Sequence, residues 1–150
     1  MKIGIVSDTH GLLREEIIQA FKECQLIFHA GDIGSQHILD VLKRVAPVIA
    51  VKGNNDKTDW AELLPSEIWR QVDGKCIYMI HNLKECKQVF DSDKADIVIS
   101  GHSHIYKEET RGNILYLNPG GAGPKRFGRP ATAMVLELES QSIQVKKVLV

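Results

Sequence analysis

Six short apolar segments of this chain are each followed at once by residues that bind metals or anions. Histidine, aspartate and asparagine carry nitrogen and oxygen donors, which suit divalent transition metals. One such junction means little, but six indicate a single site at one edge of a sheet, and therefore a metal-dependent enzyme. The polar residues at the six junctions are Asp8 with His10, Asp32, Asn54 to Asp56, His81, His102 with His104, and Asn118.

Taken singly, most of these junctions have an ordinary explanation. Asp8 could cap a helix while His10 lies on the surface, and the Gly-Asp pair ending at Asp32 is a common turn. His81, alone at the end of an apolar strand, is typical of a buried core histidine. The most specific feature is His102-x-His104, because two imidazoles one residue apart after a buried strand make a good pair of ligands.

Taken together, the junctions supply more donors than one ion needs. They fit two ions that share a carboxylate, and two-metal hydrolases hold such ions roughly 3.5–4 Å apart. The pair lowers the pKa of a bridging water, aligns a phosphoryl oxygen and stabilises the leaving oxygen. The seven donors are Asp8, His10, Asp32, Asn54, His81, His102 and His104.

The elements that must position these donors alternate in the first half of the chain. Apolar periodicity predicts strands at Lys2–Val6, Leu26–His29 and Val48–Val51, with helices over 12–24 and from Ser35 to about Val45. This β-α-β-α-β order implies parallel strands with helical crossovers. Sites in such sheets form outside the carboxyl ends of the strands, where the junctions lie.

The second half predicts antiparallel hairpins, one around an Asp-Gly turn, and a glycine-rich loop at 119–130. The result is an α/β protein, a two-sheet β-sandwich of mixed strands flanked by helices, in one domain over 1–150. The predicted elements are hairpins at 67–81, 106–118 and 132–149, a strand at 96–100 and a helix over roughly 84–92.

Composition narrows the function classes. The 150 residues carry no net charge, with 19 basic and 19 acidic side chains, so no overall field attracts nucleic acid or anionic lipid. No apolar stretch approaches the roughly 20 residues that span a bilayer. The three cysteines lack CxxC spacing, and the start of the chain has no signal-peptide pattern. We therefore expect reduced thiols in a cytoplasmic protein.

The ordered motifs resemble those of the calcineurin-like metallophosphoesterases, and most closely the small bacterial and archaeal phosphodiesterase branch. The match covers nearly the whole chain. It consists of Asp8-x-His10, Gly31-Asp32, Gly53-Asn54-x-Asp56, His81 and Gly101-His102-x-His104, with a further family-like segment at Asn118-Pro119-Gly120.

This resemblance implies a binuclear phosphodiesterase in which a metal-bridging hydroxide attacks phosphorus. One ion would be held by Asp8, His10, Asp32 and His104, and the other by Asp32, Asn54, His81 and His102. Asp32 would bridge, and the catalytic set would be Asp32, Asn54, Asn55 and His81. Manganese is the favoured metal, with nickel, iron and zinc as alternatives. The substrate would be a small phosphodiester such as a nucleotide, and the exposed hairpin edges offer surfaces for a homodimer.

The resemblance also leaves a second function open, because the retromer subunit of this family has a similar size and acts mainly as a protein-interaction module. Two positions depart from the family pattern. Asn55 stands where many members have a histidine, so it cannot act as a general acid, although it can donate a hydrogen bond. Asn82 follows His81 where the family usually has glycine.

Four other features match no ligand motif. His29 is interpreted as a structural residue close to the site, and His37 as a surface residue of a helix. Trp60 and Trp69 are expected in the core. The basic residues of the glycine-rich loop could contact a phosphate or could simply be a solvated surface; they are Lys125, Arg126 and Arg129.

Overall fold

The computed structural model describes residues 1–88, 90 and 94–150, which form two five-stranded mixed sheets. The first sheet has the order β10-β9-β1-β2-β3, in which β1, β2 and β3 are parallel. Its elements are β1 (Lys2–Val6), α1 (Glu15–Ala20), β2 (Leu26–His29), α2 (Gln36–Lys43), β3 (Val48–Ala50), β9 (Thr132–Glu139) and β10 (Ser142–Leu149).

The second sheet has the order β4-β5-β6-β8-β7. The β4–β5 and β7–β8 hairpins were predicted, but the sheet also has a parallel centre, because β6 pairs in parallel with both β5 and β8. Its strands are β4 (Glu67–Val72), β5 (Lys75–Ile80), β6 (Ile97–Ile99), β7 (Tyr106–Arg111) and β8 (Ile114–Pro119). The carboxyl ends of β1, β2, β5 and β6 therefore meet at one edge of the sandwich.

The main core lies between the two sheets, where every second residue of a strand points inward and these inward residues are mostly apolar. Ile5 and Leu136 of the first sheet and Met79 and Ile99 of the second belong to this core, and each is fully buried. A second cluster joins α1 and α2 to the outer face of the first sheet, with Trp60 half-buried against it. A third cluster covers the outer face of the second sheet, and Trp69 packs there.

The helices are shorter than the periodicity predicts. Arg14 has extended backbone (φ −81°, ψ 140°), so α1 begins at Glu15 rather than near residue 12. The helix predicted over 84–92 was wrong at its start, where Leu83–Glu85 form a 3-10 turn that Cys86 ends with extended backbone. Residues 89, 91 and 92 of that prediction lie outside the described residues. In the described part of the chain, no helix is long and apolar enough to cross a bilayer.

The inter-sheet core should dominate stability, and two chemically identical substitutions test this. Leu136 is fully buried, whereas Leu63 is 93% exposed. Leu136→Ala should lower the free energy of unfolding by about 2–5 kcal/mol, since it removes buried methyl groups and leaves a cavity. Leu63→Ala should change it by less than about 0.5 kcal/mol. Urea unfolding measures both, and equal effects would contradict the assignment of the core.

Candidate metal centre

The candidate ligands come from both sheets and converge at the seam between them. Asp8, His10 and Asp32 follow β1 and β2 of the first sheet, whereas His81, His102 and His104 follow β5 and β6 of the second. Backbone bonds continue past the strand ends, from Asp8 N–H to the Gly31 carbonyl (2.9 Å) and from His10 N–H to the Asp32 carbonyl (3.0 Å). The parallel pairing of β1 and β2 therefore fixes the ligand loops relative to each other.

Most of these residues have left-handed backbone, which L-amino acids rarely adopt. Asparagine, aspartate and histidine tolerate this region better than other side chains, but it still costs roughly 1–2 kcal/mol per residue. Such strain persists where surrounding structure enforces it, which is characteristic of functional sites. The candidate ligands with positive φ are Asp8 (55°), His10 (46°), Asp32 (52°), His102 (70°) and His104 (61°).

One carboxylate oxygen of Asp8 accepts hydrogen bonds from the protein, and the other faces three histidines. Its Oδ2 accepts hydrogen bonds from Ser7 Oγ (2.6 Å) and from the His102 N–H (3.0 Å). Its Oδ1 lies 3.7 Å from His10 Nε2, 3.9 Å from His81 Nε2 and 3.4 Å from His104 Nε2. Burial raises the pKa of Asp8, but the nearby His104 and Ser7 outweigh it and hold that pKa below its ordinary value.

Asp32 is the second buried carboxylate, and Asn55 orients it. The Asn55 backbone N–H donates to Oδ1 and its side-chain Nδ2 donates to Oδ2, both at 3.0 Å. Asp32 Oδ2 lies 3.3 Å from His81 Nε2 and 3.8 Å from His10 Nε2. Burial opposes ionisation, but hydrogen bonds and the neighbouring imidazoles depress the pKa of Asp32 strongly. Asn55, which the resemblance places in the catalytic set, thus donates its amide hydrogen bond to this carboxylate.

His81 is oriented by a contact between the sheets. Its Nδ1 lies 2.7 Å from the Ala30 carbonyl, to which it must donate, so the lone pair of Nε2 faces Asp8 and Asp32. Burial lowers the pKa of His81, yet the two carboxylates raise it above its ordinary value. The two carboxylates therefore favour a positive charge here, either a proton on His81 Nε2 or a cation bound beside it.

Three buried polar atoms here have no hydrogen-bond partner among the described residues: Asp8 Oδ1, His10 Nε2 and His81 Nε2. Buried polar atoms that face one another without partners are costly, and a cation between them would offset that cost. Two overlapping groups of donors, Asp8-His10-His104 and Asp8-Asp32-His81, have all their ligand atoms within 4.8 Å of one another. The donors present therefore fit divalent metal ions.

The two remaining predicted ligands lie at the margin of this cluster. The His102 ring packs edge-on against His81, with centroids 5.3 Å apart. Asn54 is exposed and lines the same cavity as His81. Asp8 belongs to both groups of donors, whereas the sequence interpretation gave the bridging role to Asp32.

Two junction residues that the sequence interpretation did not name as metal ligands hold the ligand loops in place. Asp56 is 5% exposed and accepts hydrogen bonds from the N–H groups of Ile33, Gly34 and Gly53, so it ties the Asp32 loop to the Asn54 loop. Asn118 Nδ2 donates to the Gly101 carbonyl (2.9 Å), which fixes the turn before His102. The sequence placed both at strand-end junctions and in the family motifs, but gave no sign of these hydrogen bonds.

Glycines allow the two sheets to approach closely at the site. A Cβ on Gly101 would lie 2.0 Å from Ser7 Oγ, and one on Gly53 would lie 2.2 Å from Asp32 Oδ1. Because both obstructing atoms belong to the network around the carboxylates, any side chain at these positions would displace a candidate ligand.

Two clefts open beside the cluster and share Asn82 in their walls. The large cleft, about 750 Å³, includes Asn54, His81, three lysines and four acidic residues. The basic cleft, about 500 Å³, includes His102, Ser103 and three cationic side chains, Lys84, Lys107 and Arg111. The exposed Lys125, Arg126 and Arg129 lie in the glycine-rich loop, which also contacts the cluster because Gly123 N–H donates to the Asp8 carbonyl (3.1 Å).

The comparisons with known proteins agree with this architecture. The calcineurin-like phosphoesterase superfamily domain matches residues 1–141, and the chain belongs to this superfamily of metal-dependent phosphoric ester hydrolases. A probable metallophosphoesterase of Methanothermobacter thermautotrophicus is 30% identical over 158 residues, which cover 97% of this chain and 91% of the relative. The family resemblance drawn from the motifs is thereby confirmed.

Solved structures confirm the two-sheet fold. The structure of a novel archaeal phosphodiesterase aligns with a TM-score of 0.85 at 26% identity and covers 100% of both chains. Vps29 of Entamoeba histolytica in complex with Zn²⁺ aligns with a TM-score of 0.77 at 19% identity and covers 99% of both chains, a likeness of fold alone.

His29 links the two ligand loops of the first sheet and should make stability depend on pH. It is fully buried; its Nδ1 accepts from Gly31 N–H (3.1 Å), so its Nε2 donates to Thr9 Oγ1 (3.0 Å), and Thr9 Oγ1 donates to the Ile33 carbonyl (2.7 Å). Both ring nitrogens are used by the neutral form, and burial lowers the pKa of His29 to about 4.

Because the unfolded chain binds a proton near pH 6.5 and folded His29 does not, this group should cost stability as the pH falls from about 6.5 to 4. The loss should reach about 3 kcal/mol. In His29→Gln, whose amide can both accept and donate, this part of the pH dependence should vanish. Urea unfolding of both metal-free proteins at pH 4 to 8 measures the difference, and the same pH dependence of the unfolding free energy in both proteins would contradict the prediction.

His37, in contrast, is exposed on α2, as predicted.

Proposed function

We propose that this protein is a binuclear metal-dependent phosphodiesterase. The observation that carries the proposal is a set of three buried atoms, Asp8 Oδ1, His10 Nε2 and His81 Nε2, that have no hydrogen-bond partner among the described residues. Both imidazole nitrogens lie within 4 Å of the Asp8 and Asp32 carboxylates. One ion would be held by Asp8, His10, Asp32 and His104, and the other by Asp32, Asn54, His81 and His102. The names of the relatives, a probable metallophosphoesterase and an archaeal phosphodiesterase, support the same reaction class.

When bound, the two ions would supply a water acidic enough to attack phosphorus as hydroxide and positive charge for the phosphoryl oxygens. Manganese is the favoured metal, and nickel, iron and zinc are alternatives that nitrogen and oxygen donors also accept. The protein itself contributes the fixed ligand geometry. Ser7 and the His102 N–H orient Asp8, Asn55 orients Asp32, and the Ala30 carbonyl orients His81.

Arg126 is placed to add positive charge beside the cluster. Burial lowers the pKa of His10, and the nearby Arg126 lowers it further, against the opposing effect of Asp32 and Asp8. A guanidinium in the neighbourhood of His10 could bind a phosphoryl oxygen of a substrate at the cluster. This supports a phosphate contact for the basic loop rather than a solvated surface.

The two clefts support a diester as substrate. A phosphodiester carries two alcohol groups on phosphorus and a monoester one, so a diesterase needs space on two sides of the reacting centre. The large cleft begins at His81 and the basic cleft at His102, and Asn82 stands between them. A small diester, such as one with a nucleoside arm, would fit one alcohol group in each cleft.

The metal ligands should be essential for turnover. Asp32→Asn and His102→Ala should each lower kcat/KM for bis(p-nitrophenyl) phosphate by more than about 100-fold, because each removes a metal donor. Asp40→Asn, the same change as the first on the exposed face of α2, should leave kcat/KM unaltered. The assay uses chelator-treated protein with Mn²⁺, Ni²⁺, Zn²⁺ or Mg²⁺ restored singly, and retained turnover in both site variants would refute the assignment.

The absence of an acid at position 55 should favour diesters. Without a group that protonates the leaving oxygen, we expect faster hydrolysis of bis(p-nitrophenyl) phosphate than of p-nitrophenyl phosphate under the same conditions. Asn55→His should shift the ratio of the two rates toward the monoester. Faster monoester cleavage by the unaltered protein would contradict this preference.

The competing proposal is a metal-binding scaffold on the same fold. The fold alone does not separate the two functions, since one fold hosts many activities. Every predicted ligand position holds a competent donor, which favours the enzyme. Metal binding by the protein without turnover on any diester, with any of the four ions, would favour the scaffold.

A further inference from the structure

The basic cleft differs in charge from the large cleft, although both begin at the metal centre. The described lining of the basic cleft contains Lys84, Lys107 and Arg111 and no acidic side chain. The large cleft contains the acids Asp56, Glu62, Glu67 and Glu85 beside its three lysines. The two arms of a bound diester would therefore meet different electrostatic surroundings.

One carboxylate serves two of the cations of the basic cleft. Glu109 lies 2.6 Å from Lys107 Nζ and 3.0 Å from Arg111 Nη2, so this trio keeps a positive charge. The Arg111 guanidinium is also held 4.6 Å above the centre of the Tyr116 ring, another residue of the cleft. Stacking of this kind fixes the plane of a guanidinium and favours recognition of a phosphate.

A hydroxyl donor, Ser103, lines the same cleft as these cations and His102. Ser103 Oγ accepts hydrogen bonds from Ile105 N–H (3.1 Å) and Asn118 Nδ2 (3.1 Å). With both of these bonds used for acceptance, its O–H proton can donate to a ligand in the cleft. His102, one residue earlier, is a candidate metal ligand and part of the same wall. The cleft thus offers a hydroxyl donor and excess positive charge directly beside the reacting centre.

We propose that the basic cleft binds a second phosphate, carried by one alcohol arm of the diester substrate. The proposal rests on the proposed phosphodiesterase function and deepens it. The substrate class is a phosphodiester with a phosphate monoester on one arm, as in a nucleoside 3′-phosphate 5′-diester. The large cleft, with mixed charges, takes the arm without the extra phosphate.

Two substrates that differ by one phosphate test this proposal. They are thymidine 5′-(4-nitrophenyl phosphate) and its 3′-phosphorylated form, both of which release nitrophenol from the same diester. The 3′-phosphate should raise kcat/KM about tenfold, as expected for a charge-assisted contact. Lys107→Gln and Arg111→Gln should each reduce that preference to within about threefold. Lys146→Gln, on exposed β10 of the other sheet, should leave it intact.

A binding measurement keeps this test separate from catalysis. Calorimetry in the presence of Mn²⁺ compares thymidine 3′,5′-bisphosphate with thymidine 5′-monophosphate, and we expect the bisphosphate to bind about tenfold more tightly. Tighter binding that is lost in Lys107→Gln, without turnover of either ester, would support the phosphate site and refute the phosphodiesterase. Turnover without any preference for the 3′-phosphate, or a preference unaffected by both substitutions, would overturn the phosphate site alone.

Discussion

The structure around the site depends on one buried carboxylate. Asp8 receives two hydrogen bonds on one oxygen and presents the other, without a partner among the described residues, to three imidazoles. A buried anion is expensive unless positive charge offsets it. The ligand loops of both sheets are arranged around this oxygen. Left-handed backbone and close glycine contacts make the arrangement possible, and the hydrogen bonds to Asp56 hold the loops of Asp32 and Asn54 together.

The strands could be predicted closely because their apolar patterns end sharply. Lys2–Val6, Leu26–His29 and the hairpin of Thr132–Glu139 with Ser142–Leu149 have the predicted bounds. The second helix begins after Ser35, as predicted, and ends at Lys43, slightly before the predicted end. The start of α1 could not be predicted, because helical spacing of apolar residues extends beyond the backbone that forms a helix, as at Arg14. The predicted helix over 84–92 was wrong at its start, where Asn82 caps a 3-10 turn instead.

The ligand candidates could be predicted because strand ends in a parallel sheet meet at one edge. What could not be predicted is how each is oriented. Nothing in local sequence indicates that Asn55 would hold Asp32, or that the Ala30 carbonyl would fix the tautomer of His81. These contacts join residues from different strands, as do both clefts, so they become visible only with the sheets packed together.

The position of the centre at the seam of the two sheets has a mechanical consequence. Ions bound there would act as a clasp, since their ligands come from loops of both sheets. Ion binding would offset part of the strain in the left-handed ligand residues. A higher concentration of free ions would raise the melting temperature by mass action. The occupancy of the metal centre and the stability of the two-sheet sandwich would then be thermodynamically coupled.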